Sequence, residues 1–290
     1  MKVVLFCGGF GTRLKEYSET IPKPMVEIGY RPIMWHIMRY YAHYGHKDFI
    51  LCLGYRGDII KNYFINYNEC LSNDFVMSQG GKEIHLFKSD IEDWNITFVD
   101  TGLNANIGQR LMSVRKHLEG EEMFLANYAD GLADLDLDHY MEDFYQSGKT
   151  ASFLCVQPPQ SFHVISLADD GQVQSIAPIG QTNLWINGGF FAFKNTIFDN
   201  INWGEELVHE PFNRLIAKND LHAYRHPGFW ACMDTLKEKK MFDDMYTRGD
   251  TPWAIWENGS RADPNRVEAS SQAYNGGNRI SMLSQSNPST

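Results

Sequence analysis

Apolar residues in this chain arrive in two rhythms. Short runs at Val3–Cys7, Asp48–Leu53, Asn95–Val99 and Met123–Asn127 read as strands. Between them, Ile33–Tyr44, Arg56–Tyr67 and Arg110–Leu118 carry apolar positions at helical spacing, and Gly45 supplies a stop for the first. Strand and helix alternate up to about Ser147, which predicts an α/β fold: a mostly parallel sheet flanked by helices on both faces.

Beyond Ser147 the rhythm changes. Ala151–Gln157, His163–Leu167, Val173–Ile176 and Gly189–Phe193 are strand-like, with turn residues such as "ADDGQ" between them, and helices follow around Pro211–Lys218 and Thr235–Met245. This half is expected to add antiparallel strands to the same sheet. No internal repeat is found. From Glu257 onward, Ser, Asn and Gly dominate and large apolar residues are few. Such a segment cannot bury enough surface to offset its ordering entropy, so 257–290 is expected to be a disordered tail. The folded unit is thus 1–256, with parts at about 1–147 and 148–256.

Composition narrows the function. A length of 290 residues suits one large α/β domain or two small ones, and a net charge of −10 disfavours non-specific binding to nucleic acid. An acidic protein that handles anions must concentrate its cations locally. The five cysteines are scattered without a C-x-x-C pair, against a disulfide scaffold or structural zinc and for a reducing compartment. With no apolar stretch of bilayer length and no signal peptide, the expectation is a cytoplasmic protein with no membrane partner.

The first strand-like run ends in Gly8-Gly9-Phe10-Gly11-Thr12-Arg13-Leu14, and Pro22-Lys23-Pro24-Met25 comes after it. Glycines let a backbone approach a phosphate closely, and successive N–H groups can form an anion-binding nest. A plain tight turn is the bland alternative. The string is neither a P-loop, which needs Gly-Lys-Ser/Thr, nor a dinucleotide fingerprint, because Leu14 stands where the last glycine belongs.

Taken together, these residues resemble the sugar nucleotidyltransferases, and within that family the glucose-1-phosphate cytidylyltransferase group. "KPMVEIGYRPIMWHIMRYYAHYGHKDFILCLGY", "VDTG", "WINGGFF", "YRHPGFWACMDT" and "TPWAIW" carry the resemblance in order from Met1 to about Trp256. It implies a Rossmann-like sheet and a Mg²⁺-dependent reaction. A sugar-1-phosphate oxygen attacks the α-phosphorus of a nucleoside triphosphate, CTP favoured, and pyrophosphate leaves, as a step in nucleotide-sugar and surface-polysaccharide synthesis. By the same resemblance, Gly8, Gly9, Gly11, Thr12 and Arg110 would bind the nucleotide, and Arg13 and Lys23 would be catalytic. Asp130, in Tyr128-Ala129-Asp130-Gly131, and Asp234 would hold the metal, and Asn187, Gly188 and Trp230 would contact the acceptor. A homo-oligomer is implied. Asp134, Asp136 and Asp138 read instead as a solvated loop and helix start.

Three positions depart from the family pattern. Ala129 replaces a glycine, Phe162-His163-Val164 stands in place of Phe-Gly-Ala, and "QSIAPIGQTNLW" lacks the Glu-Lys-Pro lysine that grips the acceptor phosphate. Either another cation serves, with His163, Arg225 and Lys194 as candidates, or the acceptor differs. A nucleotide-binding regulatory or scaffolding relative that has lost transfer is the alternative reading.

Overall fold

The computed structural model describes residues 1–9, 21–158 and 162–257. Gly11, Thr12, Arg13 and the expected tail beyond Glu257 therefore lie outside the described residues. Seven strands form the main sheet: β1 (Lys2–Phe6), β2 (Asp48–Leu53), β3 (Asn95–Asp100), β4 (Met123–Tyr128), β5 (Ala151–Val156), β6 (Ile186–Lys194) and β7 (Leu221–His226). Their spatial order is β7-β5-β6-β4-β1-β2-β3. All pairings are parallel except those of β6 with β4 and with β5, so β6 is the one reversed strand.

Both faces of the sheet are covered. Val3 and Leu5 of β1 join one buried cluster, and Val4 and Phe6 join the other, the period-two alternation of a strand packed on both sides. Helices α1 (Ile33–His43), α2 (Gly57–Ile65), α4 (Leu137–Ser147) and α6 (Leu236–Arg248) contribute to the first cluster through Ile37, Ile60, Phe144 and Phe242. Helices α3 (Ile107–Val114) and α5 (Glu210–Ala217) close the other face through Leu111 and Leu215. Gly45, at φ +82°, breaks the chain direction after α1 as the sequence suggests.

The sheet explains where a site can form. The chain runs β1-β2-β3 outward to one edge, then returns with β4 on the other side of β1. Loops leaving the carboxyl ends of β1 and β4 diverge there, which opens a crevice. Gly8 follows β1 and Asp130 follows β4, so the topology alone brings both to this crevice.

Four two-stranded ribbons complete the described structure. Two bear on the site: Gly131–Ala133 with Trp230–Cys232, and His163–Leu167 with Val173–Pro178. The expected strands at 163–167 and 173–176 thus pair with each other rather than with the main sheet, and β7, which sequence reading passed over, takes the sheet edge beside β5. Its string "LHAYRH" is mixed in character because an edge strand is only half covered.

Candidate active site

Lys23 occupies a short 3₁₀ turn, Lys23–Met25, between two buried prolines. Pro22 and Pro24 fix φ and seat against the core, so the lysine's backbone is held while its side chain projects. Its Nζ donates to Asp130 Oδ2 and to Asp234 Oδ1, both at 2.5 Å. The Lys23 side chain is 14% exposed, against 27% and 32% for those of Asp130 and Asp234. Burial by itself would lower the lysine's pKa. The two carboxylates outweigh it, and the net shift is upward.

The two aspartates are far apart in sequence and meet through a three-residue ribbon. Gly131 pairs with Cys232 in the antiparallel ladder, so Asp130 enters that end of the ribbon just as the chain toward Asp234 leaves it. Met233 N–H donates to the Asp130 carbonyl at 2.8 Å and locks the crossing. Asp234 is fixed from its other side by α6, whose capping box uses Thr235 and Glu238.

Arg110 is placed differently from a phosphate-facing cation. It is 3% exposed. Its guanidinium donates to the carbonyls of Gly8 at 2.9 Å and Leu53 at 3.2 Å and to Thr101 Oγ1 at 2.7 Å. One side chain from α3 thereby ties together the chain leaving β1, β2 and β3. Burial is the main influence on its pKa and lowers it. A Cβ on Gly8 would stand 2.0 Å from an Arg110 terminal nitrogen. The glycine is thus required by the arginine beneath it, a reason distinct from close approach to a phosphate. Gly9 is exposed, and a Cβ there would meet nothing within 4 Å.

On the other side of the aspartates, Asn187 and Gly188 lie at the start of β6. Asn187 Oδ1 accepts from Gly189 N–H at 2.8 Å, and the Trp230 indole N–H donates to the Gly188 carbonyl at 2.8 Å. Trp230 also lines a cleft of about 760 Å³ with Trp185 on its wall. Cys232, on the wall of this cleft, has its Sγ 3.6 Å from Asp234 Oδ2.

Three residues weighed from the sequence take definite places here. Asp134 is not simply solvated: its Oδ1 lies 2.9 Å from Nε2 of His226, a histidine only 8% exposed, while Asp136 does cap α4. Lys194 donates to the Gly148 carbonyl at the opposite end of β6, roughly 23 Å along the strand from Asn187. Arg225 stacks over Trp185 at 5.3 Å.

The cluster at the crevice carries one positive charge and two negative ones, so it suits a cation, or a polyanion brought together with a cation. It combines a pre-aimed ammonium, two converging carboxylates and a backbone loop at the crevice of a parallel sheet. The profile of the nucleotidyl transferase family matches residues 2–235. The chain belongs to that family. The transferase is 41% identical over 261 residues to the glucose-1-phosphate cytidylyltransferase of Salmonella typhi, covering 89% of this chain and 100% of that protein. It is 34% identical over 258 residues to the probable glucose-1-phosphate cytidylyltransferase of Bacillus subtilis, covering 88% of this chain and all of the other. Among solved structures, the UDP-glucose pyrophosphorylase of Acinetobacter baumanii superposes with a TM-score of 0.64 at 18% identity, over 89% of this chain and 97% of its own, a likeness of fold. The expectation of a sugar nucleotidyltransferase with a mixed, mostly parallel sheet therefore holds. No helix among the described residues is long and apolar enough to cross a membrane.

Proposed function

We propose that the transferase joins CTP to a hexose 1-phosphate, glucose-1-phosphate foremost, and releases pyrophosphate. The Lys23–Asp130–Asp234 cluster at the crevice carries this reading, supported by full-length similarity to cytidylyltransferases. In the reaction, a phosphate oxygen of the acceptor forms a bond to the α-phosphorus of CTP. The bond from that phosphorus to the oxygen bridging to the β-phosphate breaks, and both electrons leave with pyrophosphate. Such a displacement needs positioning and charge stabilisation rather than a protein nucleophile.

Lys23 supplies a compact positive charge on a rigid backbone. It exchanges its carboxylate partners for triphosphate oxygens as the nucleotide binds. Arg13 is assigned to the departing pyrophosphate by family resemblance. Arg110 holds the Gly8 loop in shape from below.

The two carboxylate oxygens converge on one ammonium, a cation already seated between them, and so suit a hard divalent ion. Mg²⁺ is commonly held by one or two carboxylates together with phosphate oxygens, so a two-carboxylate donor set suffices for it. Asp130 and Asp234 would hold it, and when bound it neutralises charge on the reacting phosphates. The same reading makes the protein a cytoplasmic homo-oligomer serving nucleotide-sugar synthesis, in one domain over 1–256 divided near residue 147. Full-length similarity to transferases disfavours the regulatory or scaffolding alternative.

The deciding assay is pyrophosphate release with glucose-1-phosphate and, in turn, CTP, UTP, dTTP and GTP in Mg²⁺. Release with CTP above the others supports the assignment. No release with any pair overturns it.

A further inference from the structure

A site for the acceptor phosphate presupposes, and so rests on, the transfer reaction proposed for this crevice. That reaction brings a phosphate monoester, a dianion, up to a second, more highly charged anion. A phosphate lodged beside aspartates without its own cation would be strongly disfavoured. The space available to the acceptor is the cleft bounded by Trp185, Phe229 and Trp230, whose wall residue Cys232 contacts Asp234. Among the described residues that line it, Lys237 is the sole lysine or arginine.

Local structure leaves this lysine available. It stands in the first turn of α6, three residues after Asp234. Its own N–H donates to Thr235 Oγ1 at 3.2 Å, which fixes its backbone. The adjacent carboxylate, Glu238, is turned back onto the cap, with Oε2 accepting from Thr235 N–H at 2.8 Å and from the Thr235 hydroxyl. Glu238 is therefore committed elsewhere, and Lys237 forms no ion pair among the described residues. Gly180 lines the same cleft, so the segment "QSIAPIGQTNLW", which lacks a lysine, forms part of the wall near Lys237. The other candidate cations are placed less well. None of His163, Arg225 and Lys194 is among the described residues that line the cleft: His163 stands on the separate ribbon, Arg225 lies over the Trp185 ring, and Lys194 is at the remote end of β6.

We propose that Lys237 receives the phosphate of the acceptor, supplying from the helix after Asp234 the cation that the 174–185 segment does not carry. Specificity for a phosphorylated sugar over a free one then resides in this one exposed ammonium, while the tryptophan walls contact the sugar ring.

The test uses the full chain, with Lys237→Met and Lys237→Arg compared by initial pyrophosphate release and with melting curves confirming the fold. In Lys237→Met the KM for glucose-1-phosphate should rise by about tenfold or more, the worth of a hydrogen bond to a charged group, with the KM for CTP unchanged. Lys237→Arg should restore most of the loss. An unchanged acceptor KM in Lys237→Met, or equal changes for both substrates, overturns the proposal. If the unaltered protein transfers nothing, the transfer reading fails, and Lys237 is judged separately by calorimetric titration of glucose-1-phosphate in the presence of a non-hydrolysable CTP analogue. Weaker binding to Lys237→Met supports the role. Equal binding, or no binding to the unaltered protein, removes it.

Discussion

The two sides of the crevice, proposed here for the nucleotide and for the acceptor, are built on opposite plans. On the nucleotide side the two described candidate cations are sheathed and partnered: Lys23 is 14% exposed between two aspartates, and Arg110 is 3% exposed against three backbone segments. On the acceptor side the walls are half-buried tryptophans, the cation Lys237 is exposed, and the nearby ribbon turns Ile165, Leu167, Val173 and Ile176 outward. Preorganised charge stabilises a transition state because no reorganisation is needed as charge develops. The nucleotide side has that character. The acceptor side offers surface and one adaptable charge, which suits recognition of a ligand more than stabilisation of the reaction. Substitutions on the first side should therefore depress turnover or stability, and those on the second should raise an acceptor KM.

The largest effect is expected at Lys23. Lys23→Ala removes a positioned cation whose loss should cost about 100- to 1,000-fold in kcat, by analogy with deletion of one oxyanion donor. It also leaves Asp130 and Asp234 facing each other without the ammonium that both contact. The check is kcat from initial rates, together with a melting curve. A variant with normal turnover would erase the distinction between the two sides.

Acid should act next, through the scaffold under the nucleotide side. His36, in α1, is buried, and desolvation lowers its pKa from 6.5 to about 4. Its Nε2 lies 3.1 Å from the Ile28 carbonyl, on the strand that follows the Lys23 turn. The unfolded chain binds a proton at this histidine below about pH 6.5, whereas the folded chain resists until about 4. Stability must then fall as pH drops through that window, by at most about 3 kcal/mol from this group. Denaturant midpoints between pH 7 and 4, compared with those of His36→Gln, would show a flatter slope in the variant. Parallel slopes would dismiss His36 as the source.

How far the sequence disclosed this site depends on how each part is built. The parallel strands were legible because β1, β2 and β4 are buried on both faces and read as continuous apolar runs. Lys23 and Asp130 were legible because each sits in a compact local string. Hidden from sequence were relations made across the fold: β7 as a half-covered edge, the ribbon that aligns Asp130 with Asp234, and the His226–Asp134 contact. Lys237 offered a weak signal, a cation three residues after Asp234, but only the cleft gives that spacing meaning. The family resemblance assigns Arg110 to the nucleotide, and its role as a tie for backbone carbonyls needs three dimensions.

That tie makes Gly8→Ala the sharpest test of the sheathed side. The added methyl would fall 2.0 Å from an Arg110 nitrogen, inside contact distance, and the guanidinium cannot withdraw without abandoning the carbonyls of Gly8 and Leu53. Overpacking of this kind typically costs about 1–3 kcal/mol. The melting temperature of Gly8→Ala should drop accordingly. Gly9→Ala, whose Cβ meets nothing within 4 Å, should melt like the parent. Equal stability of the two variants would mean that Arg110 does not brace the loop.

The smallest effect is expected on the open side, at Trp230. Its indole N–H donates to the Gly188 carbonyl at 2.8 Å, and its ring forms a wall of the acceptor cleft. Trp230→Phe keeps an aromatic ring, trims the wall by part of the indole and deletes the donor. A neutral hydrogen bond is worth about 0.5–1.5 kcal/mol, and a wall loosened by the loss of this one should raise the acceptor KM by no more than about tenfold. Turnover at saturation and the KM for CTP should stay put, because the Lys23 cluster has its own supports in Pro22, Pro24 and the Met233–Asp130 bond. A loss confined to kcat would mean that Trp230 holds the aspartate ribbon rather than the sugar, and the division between a rigid nucleotide side and a permissive acceptor side would have to be redrawn through the ribbon itself.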